Sequence, residues 1–349
     1  MSPDLKLTLY SIIMCVEAPY ATPHPQGHLT FTMDCLKHSH PIPRDSNDYR
    51  ELSKFINHSW GSVGKDGTFP PFFPGPQPIS IERKHIPGLS RARYFACEKT
   101  DGTRMAIVCK LIGKKKYTVV VNRAMEMRSV KFYMSSKSYG GTILDGEFVG
   151  DKFMIYDAVM VSGMSVKHMN LDYRLGYVEP FIKAIMKMPS DPFVIKLKTF
   201  YPITDMNDLI RRVQNNDFPY ENDGLVFTPV DEPVKMGTHE SMFKWKPKDK
   251  NTIDYLVKPR KGGDLGLYIQ ERGEHIFSTM ITPSPEWVGR LQPGTIVECR
   301  YLSDSWPRRW EPVNIRVDKT HPNNRRTLHR TMVNIEEDIK IDEFSKLKT

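Results

Sequence analysis

The sequence predicts an α+β protein, a larger mixed domain followed by a small β-barrel. Three observations carry that reading. From about residue 92 the chain turns to alternating, β-branched and aromatic runs separated by turn residues, the signature of consecutive strands. Helical spacing of apolar residues appears at 174–188 and 205–216. After a Lys- and Gly-rich break at 246–264, four short strand-like runs crowd into residues 265–318, as a small barrel requires.

Residues 17–80 are rich in Pro, His and Gly, and DYRELSKFINHSW (48–60) is the one helix predicted there. FPPFFPGPQPISI (69–81) cannot be regular helix, because its prolines remove donors and fix φ, so it should approach the first strand extended. RMAIVCKLI (104–112), KYTVVVNRA (116–124), GTILDGEFV (141–149) and KFMIYDAVMV (152–161) read as successive strands. Strands return at DGLVFTPV (223–230) and MFKWKP (242–247). The barrel candidates are LGLYIQE (265–271), EHIFSTMI (274–281), GTIVECRYL (294–302) and WEPVNIRVD (310–318), with a closing helix over 327–347. The expected division is an extension of open role (1–65), the larger domain (66–247), the barrel (248–326) and a C-terminal helix (327–349) packing back on the larger domain.

With 39% hydrophobic residues the chain can bury a core, which excludes wholesale disorder. Its net charge of +9 favours a polyanionic partner such as nucleic acid or nucleotide. Five scattered cysteines without a CxxC pair argue against a zinc ribbon or a disulfide framework and for a reducing compartment. Cys35, His38 and His40 lie close together but lack a second ligand cluster. Neither a signal peptide nor an apolar run long enough for a membrane span is present, so the expectation is a soluble intracellular protein with no membrane partner.

Several short segments have ordinary structural readings when taken alone. CEKTDGTR (97–104) could be a solvated turn, ILDGEF (143–148) a hairpin, and FKWKP (243–247) an edge strand with lysines outward. YDAV (156–159) could be a core-facing strand and IRVDKTHPN (315–323) a charged loop.

In company and in order they read differently. KTDGTR (99–104), LDGEF (144–148), FMIYDAV (153–159), DGLVF (223–227), FKWKP (243–247) and WEPVNIRVDKTHPN (310–323) resemble the six motifs of the covalent lysyl-nucleotidyltransferases. The resemblance is greatest to the mRNA capping enzymes, the GTP:RNA guanylyltransferases, and covers roughly residues 70–330. It implies a nucleotidyltransferase domain of ATP-grasp-like antiparallel sheets with helices, followed by an OB-fold barrel.

It also implies a mechanism. Lys99 would attack the α-phosphorus of GTP, expel pyrophosphate and form lysyl-GMP, and a 5′-diphosphate RNA would then take the GMP. A lysine attacks only when unprotonated, and nearby cations penalise the ammonium form. Lys244 and Lys246, two apart on a strand, could supply that field from one face. By the same resemblance Arg104 and Glu147 would hold the ribose, Arg123 the phosphates, and Lys198 the guanine O6. Tyr156, in preference to Phe153, would stack on the base, and Asp223 with Glu147 would bind Mg²⁺ or Mn²⁺. Asp254 would serve the pyrophosphate and second-step chemistry, and Arg316, Asp318 and Lys319 would act from the barrel. Closure of that barrel over GTP needs a hinge, expected within 246–264.

The competing readings are an ATP-dependent polynucleotide ligase and a non-catalytic RNA- or polymerase-binding protein on the same fold. DGLVF carries Asp where ligases generally have Glu before that Gly, and the motif lysines are intact, so capping is favoured over both. The resemblance further implies partners supplying RNA triphosphatase and cap methyltransferase activities, RNA polymerase as another, and a nuclear site for a cellular source or host nucleus or cytoplasm for a viral one. RNA binding is expected to be electrostatic and indifferent to sequence, with no RNP-type aromatic module in view.

Overall fold

The structure, a computed structural model, describes residues 34–64, 67–260, 264–302, 309–317 and 319–347. Most of the extension at 1–65, the Gly-Gly of the expected hinge and Asp318 lie outside the described residues.

In chain order the elements are β1 (His40–Pro41), α1 (Asn47–Trp60), β2 (Pro76–Ser80), α2 (Ile86–Leu89), β3 (Tyr94–Thr100), β4 (Thr103–Ile112), β5 (Lys115–Asn122), β6 (Met127–Ser129), β7 (Thr142–Val149) and β8 (Lys152–Val161). They continue with β9 (Met164–Ser165), α3 (Leu171–Lys183), β10 (Val194–Leu197), β11 (Tyr201–Pro202), α4 (Met206–Gln214), β12 (Asn222–Pro229) and β13 (Gly237–Trp245). The last six are β14 (Thr252–Pro259), β15 (Leu265–Glu271), β16 (Glu274–Ile281), β17 (Ile296–Tyr301), β18 (Trp310–Ile315) and α5 (Arg325–Glu337).

The strands form three sheets. An eight-stranded sheet runs β1-β6-β5-β4-β7-β8-β10 with β9 beside β8, and a five-stranded sheet runs β11-β3-β12-β13-β2. Pairing is antiparallel except for β8 with β10 and β13 with β2. Helix α1 starts at Ser46, whose hydroxyl accepts from the Tyr49 N–H, and ends at Gly61 in the left-handed region. Its buried Leu52, Ile56 and Trp60 join Ala106, Val108 and Val159 of the large sheet. Residues 47–60 are therefore part of the catalytic body's core rather than an appendage.

The third sheet, β16-β15-β14-β17-β18, is antiparallel throughout and buries Ile253, Tyr255, Val257, Leu267, Val297 and Trp310. Its order is that of an OB-type barrel left open between its third and fifth strands. Within the stretch 246–264 where a hinge is expected, β14 occupies Thr252–Pro259. Ile253, Tyr255 and Val257 enter the barrel core, and 246–251 leads from β13 into β14.

Two helix boundaries also move. Helix α3 begins at Leu171, after an extended Asn170, and stops at Lys183. The C-terminal helix ends at Glu337, where Asp338 turns left-handed, and Ile339, Phe344 and Leu347 then enter the core of the five-stranded sheet. The Trp245 indole N–H donates to the Ile339 carbonyl at 2.8 Å, fixing that return.

Candidate active site

Lys99 is the penultimate residue of β3, in the cleft between the eight- and five-stranded sheets. Opposite it, pairing of β3 with β12 shifts register between Asn222 and Leu225. The bulge places Asp223 against Lys99, and Gly224 makes it possible. Gly224 has φ +150°, and a Cβ there would lie 1.9 Å from the Trp245 carbonyl oxygen, so only glycine fits.

Asp223 is buried between two lysines. Lys99 Nζ donates to Oδ1 at 2.7 Å, and Lys246 Nζ lies 2.5 Å from Oδ2. Burial opposes ionisation of Asp223, but Lys246 and Lys99 outweigh it and hold its pKa below the ordinary carboxylate value. Lys244, on β13, lines the same cavity. Its amine is pushed down to about 8, by burial first and then by Lys246, Lys99, Arg123 and Lys319. The sequence pairs Lys244 with Lys246 on one strand, but β13 ends between them at Trp245.

Across the cleft β4 and β7 bring Arg104 and Glu147 together as cross-strand partners. Arg104 is buried, donating from Nε to Asp145 Oδ1 (3.1 Å), from Nη2 to Oδ2 (2.5 Å) and from Nη1 to the Pro76 carbonyl (2.5 Å). Three of its N–H groups are thus committed to the protein, leaving two for the ribose expected there. Tyr156 donates to the same Asp145 Oδ1 at 2.9 Å, and Arg104 lies 5.8 Å from its ring centre. Glu147 faces the cavity, its pKa raised because burial outweighs Lys198 and Lys99. Arg123, in the turn after β5, lines the cavity from the exposed side. Phe153 is fully buried against Phe148 and Phe193, whereas Tyr156 lines the cavity, as does Phe200.

Lys198 is buried at one end of the cavity, bonded to the Thr100 hydroxyl and 3.4 Å from Glu98 Oε1. Glu98 is fully buried, accepts from Tyr220 at 2.8 Å, and leaves Oε2 without a partner. Sequence reading missed Glu98, Thr100, Asp145 and Tyr220. For the first three the signal lay in their closeness to Lys99 and Glu147, whereas Tyr220 carried none, its partner Glu98 being 122 residues away.

On the barrel, Asp254 collects Arg316 (Nη1 to Oδ1, 2.9 Å) and Lys319. Lys319 is near enough to the cleft to depress Lys244. The cleft thus unites Lys99, Lys244, Lys246, Asp223, Glu147, Tyr156, Lys198 and Arg123, with a second charged cluster facing it from the barrel. Among the described residues, no group of three or more His, Cys, Asp or Glu is gathered to cage a metal.

Comparison with known proteins matches residues 40–248 to the family described as mRNA capping enzyme, catalytic domain, and 230–345 to mRNA capping enzyme, C-terminal domain. The chain is 30% identical over 335 residues to an mRNA-capping enzyme subunit alpha of Schizosaccharomyces pombe, covering 80% of this chain and 81% of that one. It is 28% identical over 275 residues to an mRNA-capping enzyme of Danio rerio, covering 72% of this chain and 45% of that longer protein. Among solved structures, a mycobacterial DNA ligase D complexed with ATP and MES aligns at 14% identity and TM-score 0.42, covering 70% of this chain and 96% of that one.

Proposed function

The chain belongs to the mRNA capping enzyme family and is a guanylyltransferase, and from that premise we propose how its own residues divide the work. Lys99 is the nucleophile. Its Nζ attacks the α-phosphorus of GTP, a P–N bond forms, the bond to the bridging oxygen breaks, and pyrophosphate departs. The Asp223 carboxylate accepts from that Nζ at 2.7 Å and holds it in place for the attack, and this contact carries the proposal. Lys244 and Lys246 neutralise phosphate charge as it redistributes. In the second half-reaction a β-phosphate oxygen of a 5′-diphosphate RNA attacks the same phosphorus and releases Lys99.

Tyr156 offers its ring to the base, held in place by Asp145 and Arg104. Lys198 donates to the guanine O6, and Arg123 and Glu147 meet the phosphates and ribose. Arg316 and Lys319 reach the leaving pyrophosphate when the barrel closes, with Asp254 holding both cations until then. The residues fit a divalent ion of the Mg²⁺ type: two carboxylates, Asp223 and Glu147, stand beside the phosphate path, and such an ion takes its remaining oxygens from phosphates and water. When bound, it would neutralise phosphate charge. The domain division follows the sheets, a nucleotidyltransferase body and an OB-type barrel. The nucleus is the site we infer, from the eukaryotic relatives.

The test is labelling with α-³²P-GTP and a divalent metal, followed by denaturing electrophoresis. Label that is acid-labile and absent in Lys99→Ala is expected; label persisting in that variant would overturn the assignment.

A further inference from the structure

We propose that the outer face of the barrel's β14-β15-β16 strands is a stacking and phosphate platform for the single-stranded RNA that follows the capped 5′ end. The inference rests on the guanylyltransferase reading for the identity of its polyanionic partner. Leu267 and Ile269 point into the barrel core, so Tyr268 between them faces outward. Tyr268 pairs across the strands with Phe277, their rings 5.7 Å apart and edge to face. Phe277 remains 40% exposed, an unusual place for a large aromatic on a barrel surface.

Cations frame both rings. Arg260 lies 4.1 Å from the Phe277 ring centre and Lys258 5.1 Å from that of Tyr268. Gly266 lets the arginine lie flat: a Cβ there would come within 3.0 Å of the Arg260 stem and 2.9 Å of Tyr268. Glu271, at the turn of this hairpin, is already paired with Arg325. Exposed aromatics interleaved with Lys and Arg are what sequence-tolerant single-strand binding needs, because every base has a π-face and every nucleotide a phosphate.

The face also leads from the reaction. Asp254, which holds Arg316 and Lys319, is four residues before Lys258 on the same side of β14, about 13 Å away along the strand. That span suits the first few nucleotides behind a 5′ end seated at Lys99. No aromatic module is visible along the chain because Tyr268 and Phe277 belong to different strands and meet by pairing.

The experiment compares a 20-nucleotide 5′-diphosphate RNA with a 5′-diphosphate dinucleotide sharing its first two bases. Phe277→Leu, which keeps the apolar bulk, should raise KM for the 20-mer about tenfold. KM for the dinucleotide and enzyme–GMP formation should not change. Lys258→Ala with Arg260→Ala should reduce the log–log salt slope of 20-mer binding by about 1.4, two phosphates' worth for a single strand. An unchanged 20-mer KM, or an equal loss on the dinucleotide, would overturn the proposal. Fluorescence anisotropy of the labelled 20-mer tests it apart from catalysis: equal binding by parent and variants sinks it even if no enzyme–GMP forms, which would count separately against the catalytic reading. Competition by polyglutamate as effective as by unlabelled RNA would also overturn it.

Discussion

Two carboxylates in this molecule each sit between two cations, and their settings differ. Asp223, on β12, is held by Lys99 of the neighbouring β3 and by Lys246, the residue after β13 on its other side. Asp254 is held by Arg316 and Lys319 on another sheet, reached through residues 246–251. The first clamp contains the nucleophile itself. The second lies on the barrel. We propose that the first serves both half-reactions and the second only the one that releases pyrophosphate.

The hardest test of that contrast is Asp223→Asn, which keeps the shape but removes the charge that holds both lysines. Enzyme–GMP formation should fall by about 10²–10⁴, followed as labelled adduct against time. A loss under threefold would mean that the clamp is only structural. Arg316→Ala and Lys319→Ala should each slow adduct formation by about 10²–10³, the scale for losing one preorganised cation. Adduct trapped at forcing GTP concentration and freed of nucleotide should still transfer GMP to diphosphate RNA at nearly the parent rate. If transfer is slowed as much as formation, the barrel cluster serves both steps and the contrast fails.

A third pair, Glu98 with Lys198, lies behind the cleft and tests whether a buried clamp can tune selectivity without touching phosphate. Glu98→Gln should lower the GTP-over-ATP preference in kcat/KM about tenfold by loosening Lys198. ITP, which keeps O6, should lose as much as GTP, whereas ATP should change little. An equal fall for all three nucleotides would make Glu98 a folding residue only.

The smallest effect reports on both clusters at once. Lys244 is depressed by Lys99 and Lys246 from one and by Lys319 from the other. Its amine falls from an ordinary 10.5 to about 8 in the folded protein, so between those values the unfolded chain binds more protons. Stability should therefore rise with pH from about 8 to 10.5, the penalty being complete below 8. Lys244→Met should flatten that slope in urea unfolding at pH 7.5 and 9.5. GTP binding near pH 8 should take up about half a proton in the parent, read from the buffer dependence of the calorimetric heat, and none in Lys244→Met. Lys319→Ala should move this titration upward.

Much of the frame was legible because it rests on local pattern. Runs of β-branched and aromatic residues between turn signals marked β4, β5, β7 and β8, and the order of the motifs pointed to Lys99 before any contact was known. What escaped depends on distant partners. Arg104 meets Asp145 across 41 residues and Tyr220 meets Glu98 across 122, so no window of sequence holds both ends. Strand β14 was hidden because the lysines and prolines flanking TIDYLV resemble a linker, and the burial of Ile253 through Val257 distinguishes it.

The bond from the Trp245 indole to the Ile339 carbonyl spans 94 residues, and the described elements between them are the barrel strands and α5. The return is pinned further along as well: Asn334 donates to the Ile81 carbonyl, and Arg326 and Arg330 pair with Glu240 on β13. The barrel is thus an excursion laced to the larger domain along the length of α5, and Ile339, Phe344 and Leu347 root its far end in the five-stranded core.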